Sequence, residues 1–316
     1  MTQIIGKLGI RLPWLADFFL SLSMIRRAAL TLYPGDTLFH RWRRTRLWLR
    51  SLVCWHPTIV WLRRCSNSPL REIVMRHPRA LERPHRPFLH KAFGSYDRIA
   101  VSLYHQAWSL RYAPNITQRI AREGSTVIAR FAVGAEQWQV TLESLDQFQM
   151  EGDWTLCIRD MAGRRVVSCT FSVACLGGKI ERARLCVGSV QGPDSPSNGR
   201  ELFRALTKRW HGLRPKVLAV YLAQCVAAGM GAHGTVIIAK RSHIYESWRY
   251  CLRRRRVSAD YDALSRECGA AARWNGWFLL PRPPAYGWSD SGNAIRRRRN
   301  ALRASLAAQI GGSFAH

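Results

Sequence analysis

Acidic residues are scarce in this sequence beside its basic ones. Only 20 Asp and Glu stand against 49 Lys and Arg in 316 residues, a formal net charge of +29. That shortage excludes an acidic, solvating protein and points to a polyanionic partner, nucleic acid or an anionic membrane surface. No CxxC pair and no Cys/His spacing of a zinc site occurs among the nine cysteines, which are odd in number and lie among apolar neighbours. Buried, reduced thiols are expected, and no metal site. No G-x-S-x-G is present, which argues against a nucleophilic serine enzyme. Helix-turn-helix, RNP and zinc-finger signatures are missing too, so nucleic acid ranks behind other polyanions. No internal repeat is visible.

Long apolar runs are also scarce. The longest stretch without a charged residue, Val217 to Ala239, is broken by Gln224, His233 and the Gly229–Gly231–Gly234 series. It reads as a helix over Pro215–Gly229, a turn, and a buried strand Thr235–Ala239 rather than a membrane span. The first residues carry Asp17 inside their apolar stretch and no small-residue cleavage site follows, so no signal peptide is expected. These features favour a cytoplasmic protein, with peripheral attachment at the inner membrane as the variant.

The charge is unevenly spread. Residues 1–100 carry a net +13, residues 101–176 are neutral, and residues 177–316 carry a net +16. In the first part, residues 10–65 look helical, with Phe39, Trp42, Trp48, Trp55 and Trp61 interleaved with Arg41, Arg43, Arg44, Arg46, Arg50, Arg63 and Arg64. One reading is a helix lying at a membrane interface; the other is a helical subdomain whose aromatics are core. Residues 68–94 are rich in Pro, Arg and His and read as a linker. The chain therefore divides into a basic, tryptophan-rich helical region with its linker (1–94) and an α+β domain (95–316).

Within 95–316 a helix over Tyr96–Tyr112 precedes a change of period to two. Ser125–Val133, Gln137–Ser144, Trp154–Arg159, Arg165–Ala174 and Ile180–Val190 alternate apolar and polar residues between short turns, an antiparallel meander. Helices over Gly199–Trp210 and Pro215–Gly229, the strand Thr235–Ala239, a strand at Trp277–Leu280 and a helix from Arg296 to Ile310 follow. The fold class is α+β: a helical N-terminal region, an antiparallel meander, then helices with a buried strand.

Five motifs recur in order after the meander: GSVQGP (188–193), HGLRPK (211–216), RSHIYESWRY (241–250), DYD (260–262) and FLLP (278–281). In this series the chain resembles the VirK/YbjX family of bacterial proteins. The resemblance implies a role in virulence and envelope maintenance, including surface display of virulence proteins and antimicrobial-peptide resistance. It brings no agreed reaction, cofactor or catalytic residue.

Read physically, HGLRPK places Pro215 at a helix start with Arg214 and Lys216 beside it and His211 nearby, a composition suited to phosphate or carboxylate; solvated turn residues are the alternative. Gln191–Gly192–Pro193 ends a strand and leads towards a helix, a weak phosphate-cradling pattern. Ser242, His243 and Tyr245 complete the candidate pocket, His243 as a binding or junction residue. Asp260 and Asp262 suit either a cation or a helix cap, and capping needs nothing further. Arg253, Arg254, Arg255 and Arg256 with Arg296, Arg297, Arg298 and Arg299 form two basic runs able to build one surface for an anionic lipid or a phosphate-bearing envelope component.

The order of elements also resembles the GCN5-related N-acetyltransferases. That resemblance implies an acyltransferase on an envelope component or protein amine, with acyl-CoA bound at the helix after the fourth strand, although the Gln/Arg-x-x-Gly-x-Gly/Ala signature is absent. Nucleic-acid binding is the second alternative.

Overall fold

A computed structural model describes residues 13–177, 182–193, 199–247, 250, 260–282 and 293–315. Four helices come first: α1 (Pro13–Leu32), α2 (Leu38–Val53), α3 (Trp55–Cys65) and α4 (Leu70–Arg76). A 3-10 segment, Pro78–His85, joins them to α5 (Ser95–Tyr112) and α6 (Pro114–Glu123). Thr37 caps α2 by accepting from the His40 amide, and Pro114 opens α6 where its missing N–H costs nothing.

The segment 68–94 is not a loose connection. Ala80, Leu81, Phe88 and Leu89 are buried, Trp61 Nε1 donates to the Ala80 carbonyl at 2.9 Å, and the Arg83 side chain is enclosed. Prolines that suggested a linker shape a tight turn-rich strap instead. The apolar residues between them decide its burial, because strap and helices together cover the sheet. Helix α6 was also not anticipated; Pro114 restarts a helix immediately after α5, and Gly124 at φ +88° ends it before the first strand.

The sheet has eight strands in the order β1-β2-β3-β4-β5-β6-β8-β7. The meander comprises β1 (Ser125–Val133), β2 (Glu136–Glu143), β3 (Trp154–Asp160), β4 (Arg165–Ala174) and β5 (Arg184–Gln191), all antiparallel. Two helices follow, α7 (Gly199–Arg209) and α8 (Pro215–Gly229), and this crossover lets β6 (Gly234–Ile238) run parallel to β5. Then come α9 (Tyr261–Glu267), β7 (Ala272–Trp274), β8 (Trp277–Leu279) and α10 (Ala294–Phe314). The class is α+β, as the sequence pattern implies.

Helices cover both faces, which explains why every residue of β4 is buried. Leu185, Val187 and Ile237 join the core under α8, whereas Cys186, Val236 and Ile238 pack with Phe88, Leu89 and Val101 of the strap and α5. β1 is an edge strand, and α10 protects it: the Gln309 side-chain amide accepts from the Arg130 amide and donates to its carbonyl, both at 2.9 Å.

Pairing of β5 with β6 runs from Arg184↔Gly234 to Val187↔Ile237 and stops there, while β5 continues to Gln191. At the same point β5 bulges against β4, since Thr170 opposes Ser189 and Phe171 opposes Val187, leaving Gly188 extra. β6 ends at Ile238, so β5 runs on past the bulge without a parallel partner.

Candidate functional site

Arg43, Arg46 and Arg50 are spaced i, i+3, i+7 on α2 and share one side of it. Arg79, Arg83 and Arg86 come from the strap. These six arginines with Gln147, Gln149, Met150, Tyr245 and Tyr250 line a cleft of about 670 Å³, in which Asp146 is the one lining carboxylate among the described residues. Some of the charge is already partnered: Arg79 meets Asp146 at 3.3 Å, Arg83 meets Asp153 at 2.9 Å, and Arg86 pairs with Glu82. Arg43 and Arg46 meet aromatic rings instead, lying 4.8 Å from Phe39 and 5.1 Å from Trp42 respectively. The cleft keeps a positive surplus and suits a phosphate-bearing ligand.

One wall of the cleft leads inward. Tyr245 stacks on His243 with ring centroids 5.4 Å apart, and Tyr261 stacks on the same imidazole at 5.0 Å. The Tyr245 amide donates to His243 Nδ1 at 3.4 Å, so Nε2 carries the proton. Nε2 lies 4.0 Å from Glu151 Oε1, and Glu151 Oε2 accepts from Ser189 Oγ at 2.6 Å and Gln191 Nε2 at 2.8 Å. Glu151 and His243 are both buried. Burial pushes the Glu151 carboxyl up to about 7 against the pull of its hydrogen bonds, and burial pushes the His243 imidazole down to about 4. At neutral pH the imidazole is therefore uncharged and the Glu151 carboxyl is about half protonated. Tyr261 lies at the Val190 backbone, beyond the point where β5 and β6 stop pairing, and His243 Nε2 is buried without a hydrogen-bond partner among the described residues.

The sequence candidates fall into separate places. Gln191 and His243 approach Glu151, and Tyr245 stacks on His243. Ser242 sits next to them in sequence but elsewhere in space, its carbonyl accepting from the Lys91 amide at 2.9 Å and its side chain beside Gly276 and His90. The Gly192 carbonyl accepts from Arg165 Nη1 at 2.8 Å.

Arg214 and Lys216 line a second hollow of about 690 Å³ with Arg200, Arg204, Lys208, Phe203, Leu264 and Glu267, sharing no residue with the cleft. Arg214 Nη1 is 3.0 Å from Glu267 Oε2, and burial lowers the pKa of Lys216. His211 occupies the preceding turn at φ +54°. Asp260 caps α9 by accepting from the Ala263 amide at 3.0 Å, and Asp262 accepts from the Lys240 amide at 2.9 Å. Arg296, Arg297 and Arg298 are exposed at the start of α10, with Arg299 half-buried. Arg253, Arg254, Arg255 and Arg256 lie outside the described residues.

Glu151 and the strap arginines stand in no motif of the sequence. Two polar residues two apart, Ser189 and Gln191, on a strand buried on both faces were the available signal, because such groups require a polar partner.

Fold and site together define an α+β protein with an arginine-lined cleft over a buried carboxylate–imidazole cluster. Residues 36–286 match the family described as "Protein of unknown function (DUF535)", and the chain belongs to it. The VirK/YbjX resemblance carried by the motifs agrees. Two relatives illustrate the spread. The chain is 26% identical over 251 residues to "Uncharacterized protein YbjX" of Escherichia coli (strain K12), covering 78% of this chain and 75% of that one. It is 29% identical over 220 residues to "Membrane protein LapB" of Mannheimia haemolytica, covering 65% and 86%. No solved structure matches significantly. Among the described residues no helix is long and apolar enough to cross a membrane.

Proposed function

We propose that this protein recognises a phosphate-bearing component of the bacterial envelope in the arginine-lined cleft, as part of envelope maintenance and virulence. The observation that carries this is the convergence of arginines from α2 and the strap on one cavity, with a single lining carboxylate among the described residues. Guanidinium groups there meet phosphate oxygens bidentately, and the tyrosine wall gives the non-phosphate part of the ligand an apolar surface. Titration with inorganic pyrophosphate at low salt tests it. Replacing Arg43 and Arg46 together by Gln should weaken binding at least about tenfold and flatten its salt dependence, as loss of charge-assisted contacts requires. Equal binding by the variant would end this reading.

A second reading, acyl transfer, is favoured by one specific observation: β5 runs on beyond the Gly188 bulge after its parallel pairing with β6 stops, in a sheet whose order resembles that of the GCN5-related N-acetyltransferases. In that reading the hollow at the start of α8 receives the acyl-CoA pyrophosphate through Arg214 and Lys216. Acetyl-CoA at about 100 times its dissociation constant should then stabilise the fold by about 2.7 kcal/mol. No thermal shift at saturation would remove the reading.

A further inference from the structure

Helix α2 turns an apolar stripe outward. Leu38, Trp42, Leu49, Leu52 and Val53 fall on one side of the helix, and all are more than half exposed, Leu38 at 83% and Val53 at 87%. The buried residues of the helix, Leu47 and Ser51, lie on the other side. Five arginines and no acid accompany the stripe. Three of them, Arg43, Arg46 and Arg50, run along its flank and are the same residues that line the cleft. The Arg46 guanidinium lies over the Trp42 ring, joining the flank to the stripe.

We infer that α2 is a membrane-docking face whose occupant is the surface of an anionic phospholipid bilayer. The stripe enters the boundary between headgroups and acyl chains, while the arginine flank takes lipid phosphates and opens the cleft towards the membrane plane. Complementarity selects this occupant. A second copy would set an identical row of arginines against the first. A nucleic acid would satisfy the arginines but leave the leucine and valine stripe in water. The inference rests on the envelope reading for the ligand of the cleft, but the stripe is tested separately from it.

Flotation of the full chain with phosphatidylglycerol-containing and pure phosphatidylcholine vesicles provides the test. The chain should float with the first and much less with the second. A variant carrying Leu38→Ser, Leu49→Ser and Val53→Ser should lose at least about tenfold in vesicle partition, because interfacial binding scales with the apolar area inserted. It should keep its pyrophosphate affinity and its circular dichroism spectrum, since all three side chains are exposed. Phospholipids brominated on the acyl chain should quench part of the wild-type tryptophan fluorescence, and Trp42→Phe should remove that part.

Undiminished flotation of the triple variant, or quenching unchanged by Trp42→Phe, overturns the inference. So does a wild-type dimer that the triple variant dissolves, which would make the stripe a self-interface, or DNA binding that the triple variant loses. Vesicle binding that survives when pyrophosphate binding is absent refutes the cleft reading and leaves the docking face standing.

Discussion

The Arg83 guanidinium lies 2.9 Å from Asp153 Oδ1, with the two side chains 8% and 9% exposed. Asp153 also accepts from Ser102 Oγ at 2.9 Å and Ser172 Oγ at 2.7 Å, so one carboxylate ties the strap to α5 and to β4. Arg83 donates as well to the Gln149 carbonyl and lies 3.7 Å over the Phe88 ring. The buried ion pair therefore helps shape the cleft, together with the Leu89 amide that donates to the Met150 carbonyl at 2.8 Å and holds the strap to the β2–β3 connection.

Arg83→Ala should destabilise the protein by about 3–5 kcal/mol, because it leaves the Asp153 carboxylate buried beside its two serines with no counter-charge. Urea unfolding measures this. Arg79→Ala is the control: its partner Asp146 is exposed, and such pairs contribute about 1 kcal/mol or less. Equal effects of the two substitutions would contradict the buried pair's role.

The fold was more legible than the site. The strands Ser125–Val133 and Arg165–Ala174 and the helix Pro215–Gly229 stand at the boundaries their periodicity implies, since alternation and helical spacing report burial directly. The segment 68–94 has the composition of a linker because the acid that buries its arginine is distant in sequence: Asp153 lies 70 residues from Arg83. Glu151 sits in a turn of ordinary composition; its partners Ser189, Gln191 and His243 approach through long-range topology that no local pattern encodes. Gln191, His243 and Tyr245 were visible as motif residues, yet their grouping with each other and apart from Arg214 and Lys216 is a property of the fold.

Gly188 should prove the least replaceable glycine around the cluster. A Cβ there would stand 1.9 Å from the Glu151 carbonyl oxygen and 2.9 Å from Leu89 Cδ1, so backbone must move. Gly188→Ala should cost roughly 3 kcal/mol or more, the upper end of overpacking penalties. Gly134→Ala, at φ +62° with open space around it, carries only the left-handed strain of about 1–2 kcal/mol. Thermal unfolding of both variants checks the order, and a reversed order would show that Glu151 does not pack against the bulge.

Cysteine reactivity should follow burial. Desolvation pushes the thiols of Cys65, Cys157, Cys169 and Cys186 far above their ordinary pKa, and Cys225 up to about 11. Cys54 and Cys175 are half-buried. Brief alkylation of the native protein at neutral pH, read by peptide mass spectrometry, should label Cys54 and Cys175 ahead of those five. Early labelling of Cys169 or Cys186 would mean that the sheet opens readily at β4 and β5.

The carboxylate–imidazole cluster predicts an opposed pH response. Glu151 holds its proton up to about 7, against an ordinary 4.5. Between these values the native form binds more protons than the unfolded chain, so this group lowers stability as pH rises through the window. His243 is displaced to about 4 from 6.5, so the unfolded chain binds more protons there and stability rises with pH over that range. The two slopes oppose one another in the wild type. Glu151→Gln removes only the first, while its carbonyl oxygen still accepts from Ser189 and Gln191. The variant should therefore match the wild type near pH 4.5 and exceed it by on the order of 2 kcal/mol above pH 7. Urea midpoints at the two pH values provide the measurement. A variant whose difference from wild type does not change with pH would show that the Glu151 carboxyl titrates as in the unfolded chain, and its upward displacement by burial would be wrong.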